Sequence, residues 1–506
     1  MTTTEVLIVG AGPTGLVLAL WLTRRGVRVR IIDKAAEAGT TSRALAVQAR
    51  TLEFYRQLGL ADAVVERGRR VDAANLWAAG KHAAHMIFGE MGKGISPFPY
   101  ALIFPQDEHE RLLIEHLATA GVEVERRTEL LSFEEVDRHV VAHIRKPDGT
   151  DESCTAAYIA GGDGAHSKVR ETLGINFPGG TYEHLFYVAD VEATGPVMNG
   201  ELHVALDRTD FLAVFPLKDA RRARLIGTVR DDSKQEALSW NDVSKRVLEW
   251  IRIDVKHVNW FSTYRVHHRV ADTFRKGRAF LLGDAAHIHS PVGGQGMNTG
   301  IGDAVNLAWK LAGVMRHGSP SILDTYGPER IAFAKRLVAT TDEAFIAVTS
   351  SSAKARLIRL QVVPFVIPFV FMFNAARRFM FRTISQTTIN YRESNLSEGN
   401  AGDVHGGDRL PWIKLPDGTD NFTPLTSLDW QVHVYGDPHP DLKPMCGERH
   451  LSLEIFPWHD DMKKAGLSRD ATYLIRPDGY VALAKVKGDS SPAIVSFLEA
   501  RGIVRW

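Results

Sequence analysis

The residues best placed to do chemistry lie between Gly283 and Leu311, in GDAAHIHSPVGGQGMNTGIGDAVNLAWKL, directly after the apolar run Ala279-Phe280-Leu281-Leu282. The pattern reads as a short buried strand, a Gly-Asp turn, a glycine-rich loop, and a helix with Ala304, Leu307, Ala308 and Leu311 at helical spacing. Gly293, Gly294 and Gly296 free the backbone to approach a ligand closely. The amides of Gly296, Met297 and Asn298, at the positive end of the helix dipole, make a site for electron-rich carbonyls or a developing anion. Asp284, at the carboxyl end of the strand, is placed to accept hydrogen bonds from sugar-like hydroxyls. Such a loop suits a planar guest with polar edges. Taken alone it is better explained as a strand, a flexible loop and a packed helix, so the argument rests on two motifs upstream.

The first of these is Gly10-Ala11-Gly12-Pro13-Thr14-Gly15, between the apolar strand VLIV and the apolar helix LVLALWLTRRG; the next strand, VRVRIID, ends on Asp33, with Lys34 beside it. This is a Gly-x-Gly-x-x-Gly arrangement in the context it requires, and it predicts dinucleotide binding. Gly10 makes the tight turn, Gly12 lets a pyrophosphate approach, Gly15 lets helix and strand pack, and Asp33 holds the adenosine ribose. The competing reading is a glycine-rich turn in a nucleotide-free α/β domain. The second motif is Gly161-Gly162-Asp163-Gly164, between an apolar strand and a helix beginning near Ser167. Asp163 is expected to reach the same dinucleotide, so that three acids end three strands.

The elements that must position these groups belong to an ordinary globular chain. It has 506 residues, 44% hydrophobic and 24% charged, with a net charge of +1. That length suggests roughly two to four domains. No basic run with interleaved aromatics marks a nucleic-acid partner. The two cysteines, Cys154 and Cys446, are too few for a disulfide scaffold or a thiolate zinc site, and too far apart for a Cys-x-x-Cys pair. Redox chemistry must therefore be borrowed from a cofactor. The chain enters its first strand without a basic leader, which makes the cytoplasm the expected compartment. Leu360 to Phe373, LQVVPFVIPFVFMF, is too short to span a bilayer and is interrupted by Pro364 and Pro368. It reads as a buried helix pair or as a contact between subunits of a homodimer, and not as a stable membrane insertion.

Other candidates are isolated. Arg43 opens a helical stretch and could face a diphosphate, or simply be solvated. Gln106 sits at a strand-to-helix turn where its amide could meet a ligand. His109 and His116 on the following helix lack metal spacing and read as surface residues. From about residue 176 to 275 the pattern changes to alternating strands, an inserted antiparallel sheet. Phe211, Ala213 and Phe215 share one of its faces, where they could line an aromatic pocket or pack on a helix. Tyr264, His267 and His268 follow on the same sheet. SEGNAGDVHGG, residues 397–407, reads as a linker, and residues 401–506 as a separate small domain.

In this order the three motifs resemble the signature set of the class A, single-component FAD-dependent aromatic hydroxylases, the relatives of para-hydroxybenzoate hydroxylase, phenol hydroxylase, hydroxyphenylpropionate hydroxylase and the aromatic polyketide hydroxylases. The resemblance covers the whole chain. Arg476 to Ala482, RPDGYVA, is similar to the thioredoxin-like C-terminal domain of the longer members, although Ala482-Leu483-Ala484-Lys485 stands where the family usually continues with Trp-Arg. The implied fold is α/β. A Rossmann-like FAD-binding domain (1–175 and 276–340) is interrupted by a mostly antiparallel substrate sheet (176–275); a helical segment and linker (341–400) and a thioredoxin-like domain without a Cys-x-x-Cys pair (401–506) follow.

The resemblance implies that Gly10, Ala11, Gly12, Pro13, Thr14, Gly15, Asp33 and Lys34 hold the ADP half of FAD. It places Arg43 and Gln106 near the flavin and ribityl chain, Leu130 against adenine through its backbone, and Asp163 between FAD and the nicotinamide donor. Asp284 would bind ribityl hydroxyls, and Pro291, Gly294, Gly296, Met297 and Asn298 would surround the flavin ring, with Pro291 and Tyr264 the candidates closest to catalysis. The implied reaction has two halves. NADH or NADPH reduces the flavin, and dioxygen then adds at its C4a carbon to give a hydroperoxide that hydroxylates a phenolic or polycyclic aromatic ring. Epoxidation, oxygen insertion next to a ketone, and a flavin-bearing sensor without turnover are the alternatives.

Overall fold

The computed structural model describes residues 2–39, 44–78, 80–88, 91–207, 211–229, 238–290, 292–349, 357 and 362–503. Arg43 and Pro291 lie outside the described residues. The strand Thr2–Val9 runs parallel between Asp151–Gly161 and Val29–Asp33; Ala279–Leu281 and Val124–Arg126 extend the sheet on either side, also in parallel. A parallel sheet is covered on both faces, which is why Val6, Leu7 and Ile8 form an unbroken apolar run and are all fully buried. Its helices include Pro13–Arg24, Gln106–Thr119 and Gly296–Met315, and the first of these packs against both others. In this order the ends of Thr2–Val9, Val29–Asp33, Asp151–Gly161 and Ala279–Leu281 all open on one edge of the sheet.

The second sheet has eight strands, built on the long antiparallel pair Gly179–Thr194 and Asp254–Val270. Three of its strands, Ala73–Ala78, Lys81–Ile87 and His287–Ile288, come from the regions assigned by sequence to the FAD-binding domain; Ala73–Ala78 pairs in parallel with Leu202–Leu206. The boundary at residue 176 is thus corrected: a crossing strand pair, invisible to local periodicity, completes the sheet. Leu212 and Val214 pack on one face with Val247 and Leu248 of the helix Arg246–Trp250. Phe211 and Phe215 lie on the other, with Phe186, Val188, Ile226 and Tyr264, facing Leu45, Ala46 and Ile103 of the first domain.

The C-terminal unit runs Gln431–Tyr435, helix Leu442–Arg449 and Ser452–Phe456 as a parallel βαβ, then the antiparallel hairpin Thr472–Ile475 and Val481–Lys485 and the helix Ser491–Ala500. Residues 397–407 are not a free linker, because Glu398–Ala401 adds a strand beside Val481–Lys485. Cys446 and Cys154 are both buried and unpaired, and burial pushes the Cys446 thiol up to about 11. The apolar stretch also departs from the buried-pair reading. In and after the helix Val363–Val370, Phe365, Phe369, Met372 and Phe373 are exposed, while residues 360 and 361 lie outside the described residues. Among the described residues no helix is long and apolar enough to cross a membrane.

Candidate active site

The three motifs meet at the open edge of the parallel sheet. At Gly10 the backbone turns with φ +101°, and a Cβ there would lie 2.3 Å from the Gly162 carbonyl oxygen. At Gly15 a Cβ would lie 2.0 Å from the Gly10 oxygen, so the first helix rests directly on the turn. Thr14 closes the third side: a Cβ on Gly283 or Gly300 would come within 2.8 or 2.3 Å of its Oγ1. Gly12 is different, since a Cβ there would meet nothing within 4 Å. Gly12 caps the helix Pro13–Arg24 without a side-chain hydrogen bond, so unpaired amides and the dipole face open space. That combination suits a pyrophosphate.

The acids fall into distinct roles. Asp33 accepts the amides of Ala11 and Ala35, each at 2.7 Å, and remains half-buried with lone pairs left for a ribose. Lys34 beside it is exposed. Asp284 is exposed in the turn after its strand. Asp163 is already engaged within the protein. Its Oδ1 accepts Ser167 Oγ at 2.6 Å and its Oδ2 accepts the amides of Lys168 and Val169 at 2.7 and 3.2 Å, so it caps the helix Lys168–Leu173. Burial pushes its carboxyl above the usual range. Leu130 is buried in the strand Glu129–Val136, in register with Ile144. Gln106 braces the chain before the cradle: its Nε2 donates to Glu110 Oε1 at 2.8 Å, and its amide donates to the Ala44 oxygen at 3.0 Å. Glu110 in turn accepts the amide of Gly39 at 2.7 Å.

The third motif forms the rim for a flat ligand. In the helix Gly296–Met315 the amide of Thr299 bonds to the Gln295 oxygen, leaving those of Gly296, Met297 and Asn298 without an acceptor one turn back. The Asn298 side chain is wholly used within the protein. Its Oδ1 accepts the Gln48 amide at 2.9 Å and Thr51 Oγ1 at 2.7 Å; its Nδ2 donates to the oxygens of Ala46 and Gly294 at 2.8 and 2.7 Å. Beneath the loop, buried Asp303 accepts the Gly283 amide at 3.0 Å, His287 Nε2 at 2.7 Å and Arg330 Nε at 2.6 Å. Burial would raise the Asp303 carboxyl, but Arg330 and His287 hold it below its ordinary value. Gln386 ties the loop from outside, donating to Gln295 Oε1 at 2.7 Å and Thr299 Oγ1 at 3.0 Å.

Sequence reading missed this frame, Gln48, Thr51, Asp303, Arg330 and Gln386. One signal was present: a lone acid at 303 inside an apolar helix must have buried partners. It also passed over His289. Its Nδ1 lies 2.8 Å from the Ser290 carbonyl, which can only accept, so the neutral ring keeps a lone pair on Nε2 beside Gly296. Burial holds His289 neutral down to about 4. His109, expected at the surface, is fully buried with Nε2 at 2.6 Å from the Tyr55 hydroxyl. Of the middle-sheet candidates, Phe211, Phe215 and Tyr264 are half-buried on the face toward the cradle, with Phe186 6.5 Å from the Phe211 ring and 6.0 Å from Tyr264. Ala213 between them is buried. Ala46 joins this wall to the cradle, since a Cβ on Gly294 would lie 2.7 Å from its own. His267 bonds to Thr181, and the His268 ring lies 4.7 Å from that of Tyr182, tilted at 58°.

Residues 3–341 match the family described as FAD binding domain. The chain is 33% identical over 533 residues to 6-methylpretetramide 4-monooxygenase of Streptomyces rimosus, covering 98% of this chain and 93% of that one. Pentachlorophenol 4-monooxygenase of Sphingobium chlorophenolicum is 34% identical over 342 residues, 66% of this chain and 63% of that enzyme. Among solved structures, OxyS anhydrotetracycline hydroxylase from Streptomyces rimosus superposes with a TM-score of 0.79 at 26% identity, over 99% of both chains.

Proposed function

The chain belongs to the FAD-dependent aromatic monooxygenases, and we propose that it hydroxylates a phenolic ring of a fused-ring aromatic substrate in the cytoplasm, using NADPH or NADH as reductant. The observation that carries this reading is the meeting of three strand ends in a glycine-lined cradle beside a half-open aromatic wall. Bound FAD would supply the redox chemistry, accepting two electrons from the nicotinamide donor and activating dioxygen.

The chain's own residues do the rest. Gly10 and Gly15 let strand, turn and helix pack closely, Gly12 leaves room for the pyrophosphate at the helix N-terminus, and Asp33 and Asp284 accept hydroxyls at the two ends of the cofactor. The amides of Gly296, Met297 and Asn298 stabilise negative charge on the reduced ring edge, and they are preorganised because Asn298 and Asp303 lock the loop from below. Phe211, Phe215 and Tyr264, backed by buried Phe186, offer aromatic faces to a planar substrate and exclude water from the reacting carbon. His289 Nε2, neutral at physiological pH, accepts a hydrogen bond from a hydroxyl at the edge of the cradle and so orients it.

The relatives named for pretetramide and anhydrotetracycline support a polycyclic substrate over a single ring. The test is a panel of mono- and polycyclic phenols with the FAD-loaded protein, following NAD(P)H oxidation, hydrogen peroxide and product mass. Gain of one oxygen atom with little peroxide is the expected result for a fused-ring phenol. Peroxide alone across the whole panel would overturn the proposal.

A further inference from the structure

A second cleft, of about 660 Å³, lies apart from the cradle, between the helix Asn374–Ile384, residues 387–392 and the rim of the C-terminal domain. Six cations and three carboxylates line it, and they do not cancel. Arg392 is answered by Asp408 at 2.7 and 2.9 Å, Lys464 by Asp461 at 2.8 Å, and Arg409 by Glu53 behind the wall. Three cations remain. Among the described residues Arg382 and Lys414 have no ion-pair partner, and Arg378 donates to the Lys93 carbonyl at 2.9 Å. Partial burial of its guanidinium, with Arg378 and Arg409 nearby, lowers the proton affinity of Arg382, the mark of positive charges crowded without a counter-charge. The wall also carries Trp412, half-buried, whose indole N–H has no acceptor. On the same lining Asp403 is exposed, with no ion-pair partner among the described residues.

Unanswered cations, an aromatic face and a free carboxylate are three complementary parts of one chemistry: phosphate, base and ribose. We infer that this cleft binds the phosphorylated adenosine part of a nucleotide. Arg378, Arg382 and Lys414 meet the phosphates, Trp412 stacks on the base and Asp403 accepts ribose hydroxyls. The cleft is coupled to the cradle through the chain that forms its wall. The Ile384 carbonyl accepts Gln295 Nε2 at 2.8 Å, the Ser385 carbonyl accepts the Arg50 amide at 3.2 Å, and Gln386 locks Gln295 and Thr299. An adenosine phosphate could arrive as one half of the nicotinamide donor, which rests on the function proposed above, or as a free nucleotide acting on the cradle.

The test uses the full chain saturated with FAD. Titration calorimetry with 2′,5′-ADP as probe is expected to show one site, weakened about tenfold by Arg382→Gln and by Lys414→Gln, each removing one charge-assisted contact. Trp412→Leu should weaken it less. Both charged residues are exposed, so melting temperature and flavin content should stay as in the wild type. The rate of FAD reduction over a range of NADPH then separates the sources. A half-saturating donor concentration raised about tenfold at an unchanged limiting rate places the donor in the cleft; unchanged donor dependence with weakened 2′,5′-ADP binding assigns it to a free nucleotide. The inference is overturned if 2′,5′-ADP shows no binding, if Arg382→Gln and Lys414→Gln bind it as the wild type does, or if inorganic pyrophosphate binds as tightly, which would make it a bare anion site. Calorimetry needs no turnover, so failure to hydroxylate any phenol leaves this result readable on its own.

Discussion

The cradle and the seam that joins the C-terminal domain to the flavin domain are built on opposite rules. In the seam every charge is answered. Glu329 accepts Arg476 at 2.9 and 3.1 Å, Lys310 at 2.8 Å, Asn306 at 2.6 Å and Ser394 at 2.6 Å. Asp478 accepts Arg476 and the Trp309 indole, its carbonyl accepts Arg50, and Glu53 accepts Arg50, Ser96 and Arg409. All of these charged groups are buried. In the cradle the working atoms are backbone amides left without acceptors, and space is made by the absence of side chains. A region that must bind nothing is completed by its own residues, whereas one that must bind is left incomplete and is held rigid by a complete shell, Asn298 and Asp303, one layer below.

The largest effect expected from breaking this contrast is in the seam. Arg476→Met removes the guanidinium shared by Glu329 and Asp478 and leaves two buried carboxylates short of their counter-charge; loss of one partner of such a pair costs about 3–5 kcal/mol. Thermal unfolding should show a drop of several degrees with flavin content per folded molecule unchanged. A melting point equal to the wild type would mean that the seam does not hold the domains. Gly10→Ala should come next, at about 3 kcal/mol, because the new Cβ must displace the Gly162 carbonyl and the residue must keep a positive φ. Here stability and FAD uptake are expected to fall together.

Acid should dissolve the seam and the frame of the cradle at once. In Glu53, Asp303 and Glu329 burial would raise the carboxyl, but Arg409 and Arg50, Arg330 and His287, and Arg476 and Lys310 respectively hold each below its ordinary value. The folded protein therefore binds fewer protons than the unfolded chain. The stability they contribute is full above about pH 4.5 and is lost as pH falls below it. His109 and His433 begin the loss earlier. Burial lowers both from 6.5 to about 3, so the unfolded state takes up protons that the native state refuses from about pH 6.5 downward. The expected profile of melting temperature is flat between about pH 7 and 8, declines gently toward pH 4.5 and falls steeply below it. A maximum at acidic pH would contradict the assignment.

How far the chain could be read in advance follows from which contacts are local. Strand, turn and helix at Gly10, Gly162 and Gly283 were legible because each motif is continuous in sequence. The convergence of the motifs was legible because parallel strands must open on one edge. Ala73–Ile87 was not, since its place in the middle sheet depends on pairing with Leu202–Leu206 more than a hundred positions later. Residues 397–407 were read as a linker on their glycines. Those glycines serve close approach instead: Gly399 turns with φ +72° against the Ala484 carbonyl. His109 was taken for a surface residue although it stands three and four positions before Leu112 and Leu113, on the face that packs inward. Asp163 could be placed but not its direction, because capping by Ser167 and ligation of a dinucleotide ask for the same carboxylate at the same strand end.

The smallest effect on stability should separate ligand from fold most cleanly. Gly12→Ala adds a methyl group to open space, with no protein atom within 4 Å, and Gly12 does not have a positive φ. Its φ of −76° with ψ of 179° is a conformation that alanine adopts readily. In the protein without cofactor the melting temperature should stay within about a degree, since surface substitutions of this kind change stability by about 0.5 kcal/mol or less. No protein atom meets the methyl group, so any loss of affinity reports on the ligand. If the pyrophosphate approaches the helix N-terminus there, affinity should fall by at least tenfold, about 1.4 kcal/mol, while Gly10→Ala loses affinity and fold together. Equilibrium dialysis of FAD beside the two melting curves decides it: an unchanged FAD affinity in Gly12→Ala would move the pyrophosphate away from this turn and leave the opening beside Gly12 without a ligand.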